Sequence, residues 1–476
     1  LRGLTGSMLF EFYDGISSLE GATQAKEMIV SKTITYLEKM ENRNSGNHDL
    51  MNDVSDGYQR LGNIQGNSYY ANMGLSDDAL KSFEKAVTIS ENLVTKYPTN
   101  QKYIFSLAQA FLGLGDVLYT LNQLDTAQLR YKKSNHLLLG LTEKYPDSLN
   151  YVLALSESFN RIGDVSGMYG YANLGNTAMA ISSYNQSIDI LEKLVVKAPD
   201  NTIFRNSLAL SLAMLSNLYT VTGKFDEAIG AGYKSVSSFE ALLEQDPHNY
   251  LRKTNILVTK NAMREPLSEV LRLDEALTLL KGVESNLLES QKIDPENIHI
   301  QSNLAINYNA LGRVLSEKGQ YENAALEFQK AYILNQSLVK NSENNMEQWQ
   351  NLGFTLEFMG NNYLENNQFS EAIQKYDEAV ALYKKIDTGL INIVIIKKNV
   401  CRIHLGEIQS VLLQQHQKEL LNLENKSKAD TLNIRNVVFL SEFYGYTARA
   451  MMKKHSVGSA NGELNDPCYY FRRSLE

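Results

Sequence analysis

The spacing of its prolines constrains this chain more than any other feature. Of seven prolines, five stand at Pro98, Pro146, Pro199, Pro247 and Pro295, with gaps of 48, 53, 48 and 48 residues. Proline has no N–H and clashes with the preceding helical turn, so it ends helices. Each of the five closes a stretch of helical periodicity. An asparagine follows within a few residues: Asn100, Asn150, Asn201, Asn249 and Asn297. A fixed period of this length marks a repeat architecture, in which each unit packs on its neighbours.

Two more markers keep the register. A small residue recurs at Gly62, Gly115, Gly163, Ser216, Gly312 and Gly360, with Arg264 interrupting the series. An alanine recurs at Ala79, Ala127, Ala180, Ala228, Ala276, Ala324 and Ala372. Their agreement defines seven repeats. Leu107, Phe111 and Leu114, or Leu304, Tyr308 and Leu311, lead into the small residue in steps of four and three, which places them on one helix face. An aromatic stands four residues after several of the alanines (Tyr131, Tyr184, Phe328, Tyr376), on a second helix that packs back on the first. Asn122, Gly223, Gly319 and Asn367 precede their alanines by five residues and supply the left-handed position that ends a helix.

A Leu-Gly pair in helix A, an alanine and an aromatic in helix B, and a closing proline resemble the tetratricopeptide repeat. That family's repeat is about 34 residues long. The longer period here adds about seven residues, or about 10 Å, to each helix. The expected fold is all-α, a solenoid of helix-turn-helix repeats with long helices and, as the resemblance implies, a right-handed superhelix. The expected organisation is an N-terminal helical cap over 1–45, seven repeats over 46–388, and a divergent repeat with a C-terminal cap over 389–476. The fifth repeat, with Lys260, Arg264 and Pro266 at helix A positions, is expected to be an irregular joint.

Composition removes several functions. A net charge of −8 and a pI near 5.6 argue against a nucleic-acid surface. No apolar run approaches the about 20 residues that span a bilayer. Cys401 and Cys468 form no ligand or redox spacing, and the seven histidines form no metal-binding pair. Gly113-Leu114-Gly115 falls inside helix A and is no phosphate loop. No catalytic residue, metal site or cofactor is expected.

What remains is binding. Stacked A helices line a groove, and polar residues recur one place after the small marker and three before it. The first series includes Asn63, Asp116, Asp164, Asn217, Arg313 and Asn361; the second includes Gln59, Asn160 and Asn309. Such a ladder can hydrogen-bond an extended peptide, and its amides and two aspartates suit a neutral or weakly basic partner. Two repeats carry five-residue insertions near 66–75 and 167–176 that echo each other. Their Tyr70, Asn72, Tyr171 and Asn173 are candidate edge contacts.

The run Leu9-Phe10-Glu11-Phe12-Tyr13-Asp14, the segment from Tyr58 to Gly74 and the terminal Tyr469-Tyr470-Phe471-Arg472-Arg473 resemble the C-terminal repeat regions of large bacterial transmembrane serine/threonine protein kinases. That resemblance implies a kinase domain and one membrane helix upstream of Leu1, the chain being a segment of a longer protein with these repeats outside the cytoplasm. The expected function is a non-catalytic scaffold, the sensor or docking region of such a kinase, for a protein or peptide partner or a second copy of the array. A soluble cytoplasmic adaptor with no kinase attached is the rival expectation.

Overall fold

The structure is a computed structural model that describes residues 23–43, 46–67, 72–168, 172–247, 249–341, 346–385, 391–407, 418–421, 444 and 447. The first part of the expected N-terminal cap, the strings at 9–14 and 469–473, and most of the expected C-terminal cap lie outside these residues. Among the described residues there are α-helices and no strands. After α1 (Thr23–Arg43) the helices run in pairs. These are α2 (His48–Gly66) with α3 (Ser76–Lys96), α4 (Gln101–Thr120) with α5 (Leu124–Lys144), and α6 (Leu149–Gly167) with α7 (Thr177–Lys197). Then come α8 (Thr202–Val221) with α9 (Phe225–Gln245), and α10 (Tyr250–Ala262) and α11 (Arg264–Glu269) with α12 (Leu273–Ile293). Last are α13 (Ile298–Glu317) with α14 (Tyr321–Asn341), α15 (Met346–Glu365) with α16 (Phe369–Lys385), and α17 (Ile391–His404). The chain divides into two compact units within α8, after Leu215. No helix among the described residues is long and apolar enough to cross a membrane.

Each sequence marker has a local cause. Every B helix from the first to the fifth pair stops two residues before its proline, at Lys96, Lys144, Lys197, Gln245 and Ile293. The asparagine after the proline then caps the next A helix. Asn100 Oδ1 accepts from the backbone N–H of Lys102 and Tyr103, Asn201 from Ile203 and Phe204, and Asn297 from His299 and Ile300. Such caps satisfy donors the helix cannot reach itself. Asn150 departs from the series: α6 starts three residues after its proline like the others, so Ser148 takes the cap position and Asn150 falls inside the helix.

The A-to-B turn has one left-handed residue in all seven repeats: Gly74, Asn122, Gly175, Gly223, Leu271, Gly319 and Asn367, with φ between 59° and 74°. The two inserted loops therefore enter upstream of a turn that is otherwise unchanged. Leu271 is the anomaly, since a γ-branched side chain at φ 59° meets its own backbone and is 83% exposed besides.

The core is made by rings lying on the glycines of helix A. Tyr131, sixteen residues after Gly115, is fully buried, and a Cβ on Gly115 would lie 2.4 Å from its Cε1. Phe328 covers Gly312 and Tyr376 covers Gly360 at the same spacing; Phe83 and Tyr184 cover Gly62 and Gly163 five residues later, the length of the inserted loop. Phe83 also reaches the next A helix, where a Cβ on Gly113 would lie 2.0 Å from its Cε1. The alanine of every B helix is wholly buried.

The second compact unit contains the irregular joint. Gly232 stands where five of the other six repeats have a ring (the fifth repeat has Leu280), and Met263 takes the space, its Cγ and Sδ 2.7 and 2.8 Å from where a Cβ on Gly232 would sit. The A helix breaks at that methionine, into α10 and α11. Arg264 is buried behind it and held by Glu317 at 3.1 Å.

Thermal unfolding of the chain should rank three variants. Gly115→Ala forces a Cβ into a locked ring and should cost about 1–3 kcal/mol. Gly140→Ala, in α5 with open space around it, should gain about 0.5–1 kcal/mol. Leu271→Gly should gain about 1 kcal/mol by releasing the left-handed strain. Equal melting of the two glycine variants would refute the ring-on-glycine account.

Candidate functional site

Where the covering ring is a tyrosine, the residue after the glycine accepts from its hydroxyl. Asp116 Oδ1 accepts from the Tyr131 hydroxyl at 3.0 Å, Asp164 accepts from Tyr184, and Asn361 Oδ1 accepts from Tyr376 at 2.8 Å. In the repeats with phenylalanine the same position is Asn63 or Arg313. Asn63 Oδ1 accepts from Asn67 at 2.8 Å, and the Arg313 guanidinium lies 4.9 Å from the Phe358 ring centre. Asn217, opposite Gly232, is half-buried. The series three residues before the marker ties successive A helices together. Gln59 Nε2 donates to Ser106 Oγ at 3.1 Å, Asn160 accepts from Ser211 at 3.1 Å, and Asn309 donates to Thr355 at 2.8 Å.

Much of the expected ladder is thus bonded inside the solenoid. Asp116 and Asp164, expected to favour a weakly basic partner, are buried beneath tyrosines. Asn72 and Asn173 close their own loops: each donates to a backbone carbonyl five residues back and accepts from the N–H of the glycine two residues on, Gly74 or Gly175. Tyr70 and Tyr171 lie outside the described residues.

A cleft in the first compact unit lies on the register of this ladder. The A helices α2, α4 and α6 enclose a cleft of about 50 Å³, lined by Gln59, Asn63, Gln109, Glu157 and Arg161, with Asp116 beneath. Arg161 Nε donates to Asp116 Oδ1 at 2.9 Å, and Asn67 Nδ2 donates to Asp116 Oδ2 at 3.1 Å. Burial pushes the Asp116 carboxyl above the usual carboxylate range, against the pull of Arg161 and of these donors. Gln109 and Glu157 are half-buried in the cleft wall. Both stand six residues before their glycine, on the same helix face as the expected ladder. Extending that ladder by one turn would have found them.

The groove register changes character along the chain. Six residues before the marker, the second compact unit has Val258 and Ile306, both exposed, and then Phe354. Seven or eight residues further back stand exposed Leu251, Ile298 and Met346.

Burial also raises the Glu157 carboxyl, opposed by Arg161 and reinforced by Asp116. The folded chain therefore holds that proton more tightly than the unfolded chain. The stabilisation is full below about pH 4, where both states are protonated, and is lost as pH rises through the folded pKa. Glu157→Gln should accordingly gain stability on the wild type as pH climbs from 4 to 7. Melts in a pH series would show the divergence; parallel curves would contradict it.

Comparison with known proteins agrees with this architecture. The tetratricopeptide repeat family model matches residues 305–337, the second half of α13 and most of α14. No curated protein matches the chain in sequence. Among solved structures, the apo form of RapI is 12% identical with a TM-score of 0.52, the match covering 84% of this chain and 94% of that one. Aspartyl phosphate phosphatase F from Bacillus subtilis is 12% identical with a TM-score of 0.50, covering 83% of this chain and 89% of that one. At such identities the likeness is one of fold. The chain is an all-α solenoid of the tetratricopeptide type.

Proposed function

We propose that the chain is a non-catalytic scaffold that binds an extended peptide segment of a partner along its A helices. The observation that supports this most is the cleft of the first compact unit. There, side chains from three successive repeats converge on one opening, and two of them, Gln109 and Glu157, make no hydrogen bond among the described residues. Their polar atoms still reach solvent in the cleft and are available to bond a ligand. The exposed apolar positions at the same register in the second compact unit extend the binding reading to a partner with apolar residues.

We further propose, from the resemblance of the segments around Leu9 and Tyr58, that this scaffold is the sensor or docking region of a bacterial membrane-anchored serine/threonine kinase, held outside the cytoplasm. The phosphatase named among the solved structures does not carry its chemistry here at 12% identity.

Peptides selected by display on the full chain test the scaffold reading. Gln109→Trp fills the cleft and should weaken the selected peptides about tenfold or more. His136→Trp, on the exposed face of α5, should leave them unchanged. Equal effects of the two would remove the groove from the function. Sequencing the native gene upstream of Leu1 tests the kinase context. A kinase domain and an apolar helix of about 20 residues are expected; a start codon close to Leu1 would leave a soluble adaptor.

A further inference from the structure

We propose that the cleft in the first compact unit is a socket for the cationic head of a lysine or arginine side chain on the bound peptide. The proposal rests on the groove reading above and adds the chemistry of one ligand position.

Three charged side chains meet there: Asp116 and Glu157 against Arg161. Arg161 is committed to Asp116, which also takes Tyr131 and Asn67. Glu157 is the remaining charge and accepts no hydrogen bond. The cleft carries one negative charge in excess, and its one cation is already engaged by Asp116.

The neutral groups are also acceptors. Gln109 makes no hydrogen bond, and Gln59 spends its Nε2 on Ser106, leaving its carbonyl oxygen for a ligand. A carboxylate with two amide oxygens nearby matches the donors of an ammonium or guanidinium, which have no acceptor to offer. A carboxylate or phosphate placed there would face Glu157 at the cost of a like-charge contact.

Size narrows the ligand further. About 50 Å³ exceeds the about 10–15 Å³ that one water needs and falls well short of the about 150 Å³ cavity that holds benzene. The opening admits the head of a single side chain. Leu112 and Gly113 line the wall along which its methylene stem would lie.

The test uses the full chain and pools of seven-residue peptides with one position fixed as lysine, arginine, norleucine or glutamate, read by fluorescence anisotropy. The lysine and arginine pools should bind about tenfold or more tightly than the norleucine pool, and the glutamate pool most weakly. Glu157→Gln should shrink that margin to about threefold or less, while Glu157→Asp, which keeps the charge, retains a preference. Thermal melts of both variants report that each is folded. If pools bind equally well, or the margin survives in Glu157→Gln, the socket is overturned and the groove reading stands. If no pool binds the wild type, the groove reading falls and takes the socket with it.

Discussion

A ring laid on a helical glycine is the contact on which the rest of the fold depends. Tyr131 on Gly115, Phe328 on Gly312 and Tyr376 on Gly360 repeat it at one spacing, and the two loop-bearing repeats repeat it at a spacing longer by the inserted residues. The contact does two things. It lets A and B helices approach until ring carbons sit where a Cβ would be, and it buries the largest apolar side chains of each repeat. Phe83 shows how one ring also binds repeats together, since it lies against glycines of two successive A helices. Where the ring is missing, at Gly232, the neighbouring A helix breaks so that Met263 can take its place. A flexible thioether suits an irregular gap of that kind.

The same contact sets the chemistry of the groove. A tyrosine carries its hydroxyl to the far end of the ring, next to the residue that follows the glycine. Asp116, Asp164 and Asn361 are therefore drawn into the core as acceptors. A buried hydroxyl needs such a partner, so the ring dictates the residue opposite. The side chains left facing the cleft come from one helical turn earlier. Gln109 and Glu157 occupy that turn in the first compact unit, and Val258 and Ile306 occupy it in the second. Two compact units with the same backbone register thus present different surfaces, one polar and acidic, one apolar.

Most of the fold was legible because its determinants are local. Pro98 and Asn100, Ala127, and Gly223 or Asn367 each act within a turn or a few residues: stopping a helix, capping one, packing one, or admitting a positive φ. Leu271 shows where such reading stops. It occupies the same left-handed turn as Asn122 and Gly319, yet no propensity points to it, because the flanking helices hold that turn whichever residue stands there. The loop asparagines Asn72 and Asn173 stand out in the sequence, but only the structure shows that their hydrogen bonds close onto their own loops.

By itself, the sequence determined the period, the pairing of helices and the places where backbone must bend, because each of these is a property of residues near one another in the chain. Only the tertiary structure decided which polar side chains remain available for a partner. Asp116 and Glu157 are both acids on one stack of A helices, and nothing local separates them. Asp116 is consumed by a tyrosine fifteen residues away and an arginine from the next repeat, while Glu157 meets neither a tyrosine nor a committed donor. Availability is a matter of what crosses the space in front of a side chain, and packing between helices decides that.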